Sequence, residues 1–297
     1  MSDLSRRDFI LTGSAALSSY LAKAEAAMTP LTAGEVVDRI RKQVGIPWRA
    51  QTVDQIVAGS ESTPVHGIAT TMMATLDVVE RTAAAGKNMI VTHETPFYLH
   101  QDHTEDIKDD PTLKYKLNLI RKNDMAIFHF HDHWHARKPD GIATGMMMQL
   151  GWEKNVDPDN VKQFTFPGVP LAHFCKEMQS KLKDRTIRVV GDPRMPVKRV
   201  LVSWGFVSRM PGISLFARPD VDVFIAGETR EWELVEYVRD SITAGNKKAL
   251  ILLGHVVSEQ GGMIYCADWL RSFISEVPIE FVPTREPFWS PDHPVEI

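Results

Sequence analysis

Short continuous apolar runs alternate with amphipathic stretches along most of this chain, and that alternation restricts its fold more than any other feature. VHGIATTMM (Val65 to Met73) reads as a strand, and Leu76 to Ala85 reads as a helix closed by Gly86. Met89 to Thr92 reads as a second strand running into His93-Glu94, and a helix over about Pro111 to Asn123 leads to a third strand, Met125 to Phe130. The second half repeats the plan. Val197 to Ser203 is a predicted strand, Pro211 to Arg218 a short helix, and Val221 to Ala226 a strand ending in Gly227-Glu228. Helical periodicity over Arg230 to Thr243 stops at Gly245, and the strand Ala249 to Leu253 runs into Gly254-His255. Strands that are apolar throughout are buried on both faces, which implies largely parallel sheets covered by helices. The expectation is an α/β chain of two similar units, residues 28–152 and 153–297, with the Lys-rich, Pro/Gly-punctuated segment Gly151 to Pro170 linking them.

The polar residues gather where these strands end. Thr92 to Glu94, His129 to His135, Ala226 to Glu228 and Gly254 to Glu259 each follow a strand C-terminus, the edge at which open α/β sheets bind ligands. Four of the eleven histidines (His129, His131, His133 and His135) fall on alternate positions around Asp132. His255 and Glu259 are four apart, with Ser258 a candidate N-cap for a helix that would hold Glu259 in its first turn.

Imidazole and carboxylate together suit zinc, iron or manganese. Cys175 and Cys266 lie far apart in apolar surroundings, which argues against a thiolate zinc cage. Two nitrogen/oxygen sets sharing a carboxylate would hold two ions roughly 3.5–4 Å apart, the arrangement of two-metal hydrolases. The histidine cluster has a second reading, a strand face whose imidazoles bond carbonyls or solvent. Glu228 is a candidate acid/base beside such a site, or a surface glutamate ahead of a helix.

The segment HGIATTMMATLDVVERTAAAGKNMIVTHETPFY resembles the strand–helix–strand–HHPxFF segment of the NIF-three-like family, also known as dinuclear metal-centre proteins and GTP cyclohydrolase I type 2 homologues. The family's His-x-x-x-Asp motif followed by Gly is similar to His131 to His135 with Gly141, and its Gly-His-x-x-Ser-Glu motif to Gly254, His255, Ser258 and Glu259. DVFIAGE resembles the family's strand ending in Thr-Gly-Glu or Thr-Gly-Asp. The resemblance implies two intertwined three-layer α/β/α units assembled as a ring-shaped homohexamer. It further implies two divalent ions (Zn, Fe or Mn) held by His93, Glu94, His255, Glu259 and either His135 or Asp132, with His131 and His133 supporting from behind. Two departures stand out: His93-Glu94 replaces the family's His-His, and simple alignment puts His135 where the family has aspartate. The exchange conserves the number of imidazoles and acids. A metal-dependent hydrolase with a small-molecule substrate is the leading expectation. The other is a metal-binding, metal-delivery or scaffold ring without turnover.

A net charge of −4 and the absence of basic runs argue against nucleic acid as a partner. No Walker A or GxGxxG motif marks a nucleotide pocket. The N-terminal stretch SRRDFILTGSAALSSYLAKAEAA pairs Arg6 with Arg7 ahead of a mildly apolar run and Ala24 to Ala26, the pattern of a twin-arginine export signal over residues 1–27. Periplasmic localisation is therefore expected, against the cytoplasmic location usual for the family. The run is too short for a membrane span, and no other apolar stretch is long enough.

Overall fold

The computed structural model describes residues 30–291, so the export signal expected over residues 1–27 lies outside the described residues. The compact unit begins at Thr32. Its first helix, α1 (Ala33–Gln43), starts on a capping box in which Thr32 and Glu35 satisfy each other's backbone amides.

The first sheet is then laid down by β1 (Ile56–Ala58), β2 (Ile68–Met73), α2 (Leu76–Ala84), β3 (Met89–Glu94), α3 (Pro111–Lys122) and β4 (Ala126–His129). Thr75 caps α2 by accepting from the Val78 amide. Asp110 caps α3, with Pro111 at the position where a missing N–H costs nothing. Strands β2, β3 and β4 are parallel neighbours, while β1 pairs antiparallel with β4 at the edge. Two short helices follow β4: α4 (Asp132–Ala136) and α5 (Gly141–Leu150).

Beyond them run β5 (Val156–Asp157), β6 (Asn160–Pro170), α6 (Leu171–Leu182), β7 (Arg188–Val190), β8 (Pro196–Phe206), α7 (Arg209–Phe216), β9 (Val223–Glu228), α8 (Glu236–Thr243) and β10 (Ala249–Leu252). Here β8, β9 and β10 are parallel neighbours and β7 pairs antiparallel with β10. The order β8-β9-β10-β7 thus repeats β2-β3-β4-β1, each edge strand preceding its parallel trio in the chain. Two similar helix-flanked units, as read from the sequence, are what the chain builds.

Three features differ from expectation. The segment Gly151 to Pro170 is not a plain linker: β5 and β6 form an antiparallel pair, and β6 joins the second sheet beside β8. Its alternating burial hid it from a search for continuous apolar runs. The last strand, β11 (Ile279–Phe281), returns to pair with β2, so the C-terminal half contributes a strand to the first sheet. Finally, α9 (His255–Arg271) begins at His255 rather than after Ser258, with Gly254 at φ 79° turning the chain out of β10. Ser258 sits inside the first turn, where its hydroxyl accepts from the Gly205 amide and donates to the His255 carbonyl.

Helix α9 organises the molecule. It packs against β2 and β11 of the first sheet, β8 and β9 of the second, and lies along α5. The α5 contact is backbone-close: a Cβ on Gly145 would sit 2.2 Å from the Gly261 carbonyl oxygen. By threading between the sheets, α9 brings the C-terminal ends of both sets of parallel strands to one place.

Candidate metal centre

Each element delivers its functional side chain for a local reason. His93 and Glu94 are the last two residues of β3, and Glu228 is the last of β9. His131 ends the β4-to-α4 turn and His135 lies four residues on, so one helical turn brings their rings edge to face with centroids 4.8 Å apart. His255 and Glu259 open α9 with the same spacing, placing both on its inner face.

The imidazoles share an orientation. Their Nδ1 atoms face outward onto oxygen acceptors: His255 onto Glu228 at 3.0 Å, His131 onto Asp132 at 3.1 Å, His135 onto Asp140 at 3.2 Å and His93 onto the Phe130 carbonyl at 3.3 Å. Their Nε2 atoms face inward onto two carboxylates. His255 Nε2 lies 3.5 Å from Glu94 and 3.2 Å from Glu259. His131 Nε2 is 3.6 Å from Glu94, and His93 and His135 stand 3.5 and 3.7 Å from opposite oxygens of Glu259. An outer carboxylate or carbonyl fixing the far nitrogen is how metal-binding histidines are held.

The inner distances are informative. Most are too long for good hydrogen bonds, and both His93 Nε2 and Glu259 Oε2 are buried without a hydrogen-bond partner. Bonds of about 2.0–2.1 Å to a tetrahedral zinc ion set neighbouring ligand atoms roughly 3.3 Å apart. That spacing would accommodate an ion. Gly205 makes the room: at φ 69° it adopts a conformation that favours glycine, and a Cβ there would lie 2.5 Å from Glu259 Oε1. The residues present therefore fit a metal centre, with ligand triads His93/His131/His135, Glu94/His255/Glu259 and Glu94/His100/His131.

Electrostatics agree with an excess of buried negative charge. Burial disfavours the Glu259 carboxylate, yet the surrounding His93, His135 and His255 hold it well below the usual range. Glu94 is held low in the same way by His100 and His255 against burial. Burial alone would lower His255, but Glu228, Glu259 and Glu94 outweigh it and push it up to about 12. His135 rises to about 9 because Asp140 and Glu259 overcome its burial. His131 goes the other way, to about 3, through burial and the neighbouring His93 and His135. A cation held among these carboxylates would replace the protons that the raised His135 and His255 favour.

Residues 32–287 match the model of the Duf34/NIF3 (NGG1p interacting factor 3) family. The chain belongs to this family. The fold is correspondingly similar to NIF3-type structures. A hypothetical protein of Staphylococcus aureus aligns at TM-score 0.70 and 17% identity, covering 88% of this chain and 99% of that one. A Bacillus cereus protein related to NIF3 gives 0.65 and 15%, over 86% and 98%. Reduced HcgD from Methanocaldococcus jannaschii gives 0.58 and 16%, over 84% and 97%. Among curated proteins, none matches the chain.

Within this NIF3 fold, the residues singled out from the sequence separate into two groups. His93, Glu94, His135, His255 and Glu259 come together. Asp132, the other candidate for the place of His135, stands behind His131: its Oδ1 faces His131 Nδ1 at 3.1 Å, and its Oδ2 accepts from Thr52 Oγ1 at 2.8 Å and the Val53 amide at 3.3 Å. His131, expected behind the ligands, stands among them, because the chain turns helical at Asp132 and spacing by four replaces spacing by two. His133, also expected to support the site, is structural. Its Nδ1 meets Asp54 at 2.7 Å, its Nε2 accepts from the Arg49 amide at 2.9 Å, and its ring stacks on Trp48 at 3.7 Å, so neither nitrogen is free. Glu228 contacts His255 but belongs to none of the ligand triads.

Sequence reasoning passed over His100, Asp54, Asp102 and Asp140. Of these, only LHQDH after the first His-Glu pair carried a signal, a second dose of imidazole close to a strand end.

Beside the centre opens a cleft of about 940 Å³, lined by Glu228, His255, Arg185, Arg188, Phe288 and Trp289 among others. No helix among the described residues is long and apolar enough to cross a membrane.

Proposed function

We propose that this NIF3-family chain holds a dinuclear divalent-metal centre (zinc, iron or manganese) and uses it to hydrolyse a small-molecule substrate by phosphoesterase- or cyclohydrolase-like chemistry. The observation that carries this reading is the convergence of the Nε2 atoms of His93, His131, His135 and His255 on Glu94 and Glu259. Divalent ions held there would supply hydroxide at neutral pH and polarise an oxygen of the substrate. The chain's own residues do the rest. Glu259 and Glu94 place their oxygens between the two sets of imidazoles. Gly205 leaves space for the Glu259 carboxylate, and Glu228 holds the His255 ring while lining the cleft through which a substrate reaches the centre. That cleft favours turnover over metal storage or a scaffold role. The family resemblance supports a homohexameric ring.

Protein purified without added metal is to be analysed for metal per chain, assayed against phosphoesters and nucleotides, and sized by light scattering after gel filtration. About two ions per Glu259-centred site, hydrolysis that a chelator abolishes, and six chains per particle are expected. Metal without turnover on any substrate sinks the hydrolase and leaves metal binding or delivery. Metal content unchanged in both His255→Ala and Glu259→Gln sinks the dinuclear centre, and a monomer sinks the ring.

A further inference from the structure

The third ligand triad, Glu94/His100/His131, lies on the outer side of the centre and includes a residue from outside the motifs. His100 stands in the loop after β3, and its Nδ1 is 3.5 Å from Glu94 Oε2, while His131 Nε2 is 3.6 Å from Glu94 Oε1. The two rings meet nearly at right angles with centroids 4.6 Å apart. The three ligand atoms all lie within 4.8 Å of one another. Both measured carboxylate–imidazole separations are close to the roughly 3.3 Å edge of a tetrahedral zinc site.

The loop that carries His100 is tied down on either side of it. Thr95 Oγ1 donates to Asp102 Oδ1 at 2.5 Å and accepts from the Phe97 amide at 2.9 Å. The other Asp102 oxygen lies 2.6 Å from Nδ1 of the buried His129. Lys116, buried under the loop, donates to the Pro96 carbonyl at 2.5 Å. Tyr98 and Asp102 both adopt positive φ, 71° and 58°, which folds the segment back over the strand end. On the other side, Asp132 fixes His131 through Nδ1 and leaves Nε2 for a ligand. His129 Nε2 is buried with no hydrogen-bond partner, as is His93 Nε2.

We propose that Glu94, His100 and His131 form a further divalent-cation position of the zinc class, separate from the one centred on Glu259. Two imidazoles and one carboxylate leave a coordination position open, so an ion there would keep a water or accept an anionic oxygen from a ligand. Glu94 serves both sides: Oε2 faces His100, while Oε1 faces His131 on this side and His255 on the other. The position thus adjoins the centre proposed above and rests on that reading only in sharing the Glu94 carboxylate with it; the single Nε2 lone pair of His131 is assigned to this position, which leaves His93, His135, His255 and Glu259 to that centre.

The test is a zinc titration of the full-length, metal-stripped protein by calorimetry, with elemental analysis after gel filtration. Wild type, His100→Ala, His100→Gln and Glu259→Gln are compared, with circular dichroism as the check on folding. With its side chain 39% exposed, His100 can be truncated at the surface of the fold. Both His100 variants are expected to bind one zinc fewer per chain than wild type, and Glu259→Gln is expected to keep that equivalent while losing zinc elsewhere. His100 variants that bind as many ions as wild type, with unchanged affinity, overturn the position. A Glu259→Gln protein that loses all zinc overturns its separateness. If Glu259→Gln binds as wild type while the His100 variants lose an ion, the dinuclear reading fails and this one stands.

Discussion

His255 lies between two glutamates that occupy the same place in the two halves of the fold, with Nδ1 3.0 Å from Glu228 and Nε2 3.5 Å from Glu94. Glu94 ends β3 and Glu228 ends β9, the middle strand of each parallel trio. The repeated topology therefore supplies a carboxylate from each half, and the opening of α9 sets one histidine between them. The halves then diverge: Glu94 is buried among imidazoles, whereas Glu228 faces the cleft.

That asymmetry separates two roles for Glu228. As the residue that orients His255, it should affect metal first. Glu228→Gln removes the charge behind the imidazole and is expected to weaken metal binding by roughly 10–100-fold, the usual cost of losing such a partner. An acid/base role would instead lower kcat at saturating metal with affinity unchanged. Metal titration and turnover measured on the same preparation distinguish the two, and a variant matching wild type in both removes Glu228 from the site.

Asp54 is expected to carry stability. One of its oxygens accepts from the His131 and Asp132 amides at 2.7 and 2.8 Å, the other from the His133 amide and ring at 2.9 and 2.7 Å. It caps the turn that presents His131 and His135. Asp54→Ala leaves these buried donors without a partner, at a cost of about 2–4 kcal/mol in urea unfolding. His133→Ala should also destabilise, while the folded protein keeps its metal per chain. Loss of metal from folded His133→Ala would return that residue to its expected place supporting the ligands.

How much of this was legible before the fold depends on the kind of signal. The parallel trios announced themselves because strands buried on both faces are apolar throughout, and their C-terminal His and Glu residues followed from the same reading. β6 was not legible, since its partly exposed, alternating residues look like a linker. The choice between His135 and Asp132 turned on whether the chain beyond β4 stayed extended or turned helical, which periodicity over five residues cannot decide. Asp54 acts on residues nearly eighty positions away, and His100 reaches Glu94 only because a loop with two positive-φ residues folds back. Neither relation leaves a spacing in the sequence.

We propose that the chain is exported by the twin-arginine route, on the evidence of Arg6-Arg7 and the Ala24 to Ala26 stretch. Replacing both arginines with lysine should leave the protein in the cytoplasm, as followed by fractionation and immunoblotting. This route carries folded proteins, so the exported wild type should already hold its metal. Periplasmic accumulation of the Lys-Lys variant, or none of the wild type, would falsify the assignment.

Asp184 gives the fold a pH dependence of its own. It follows the C-terminus of α6, where Lys183 is left-handed at φ 56°, and it is buried. Its Oδ1 accepts from the Thr186 amide at 2.8 Å, but Oδ2 is buried without a partner. Burial and the nearby Glu286 raise its carboxyl to about 6, against the Thr186 hydrogen bond that favours the charged form. The folded state thus holds this proton more tightly than the unfolded chain, whose aspartates titrate near about 3.9. The resulting stabilisation is fully present below about pH 4 and is lost as pH rises through about 6. Asp184→Asn stays neutral throughout, so it should raise stability at pH 7.5 by about 1–3 kcal/mol relative to wild type and by little at pH 4. Urea unfolding of both proteins across that range measures the difference. A gain that is equal at the two ends, or a loss at pH 7.5, would show that Asp184 is ionised at no cost in the folded protein.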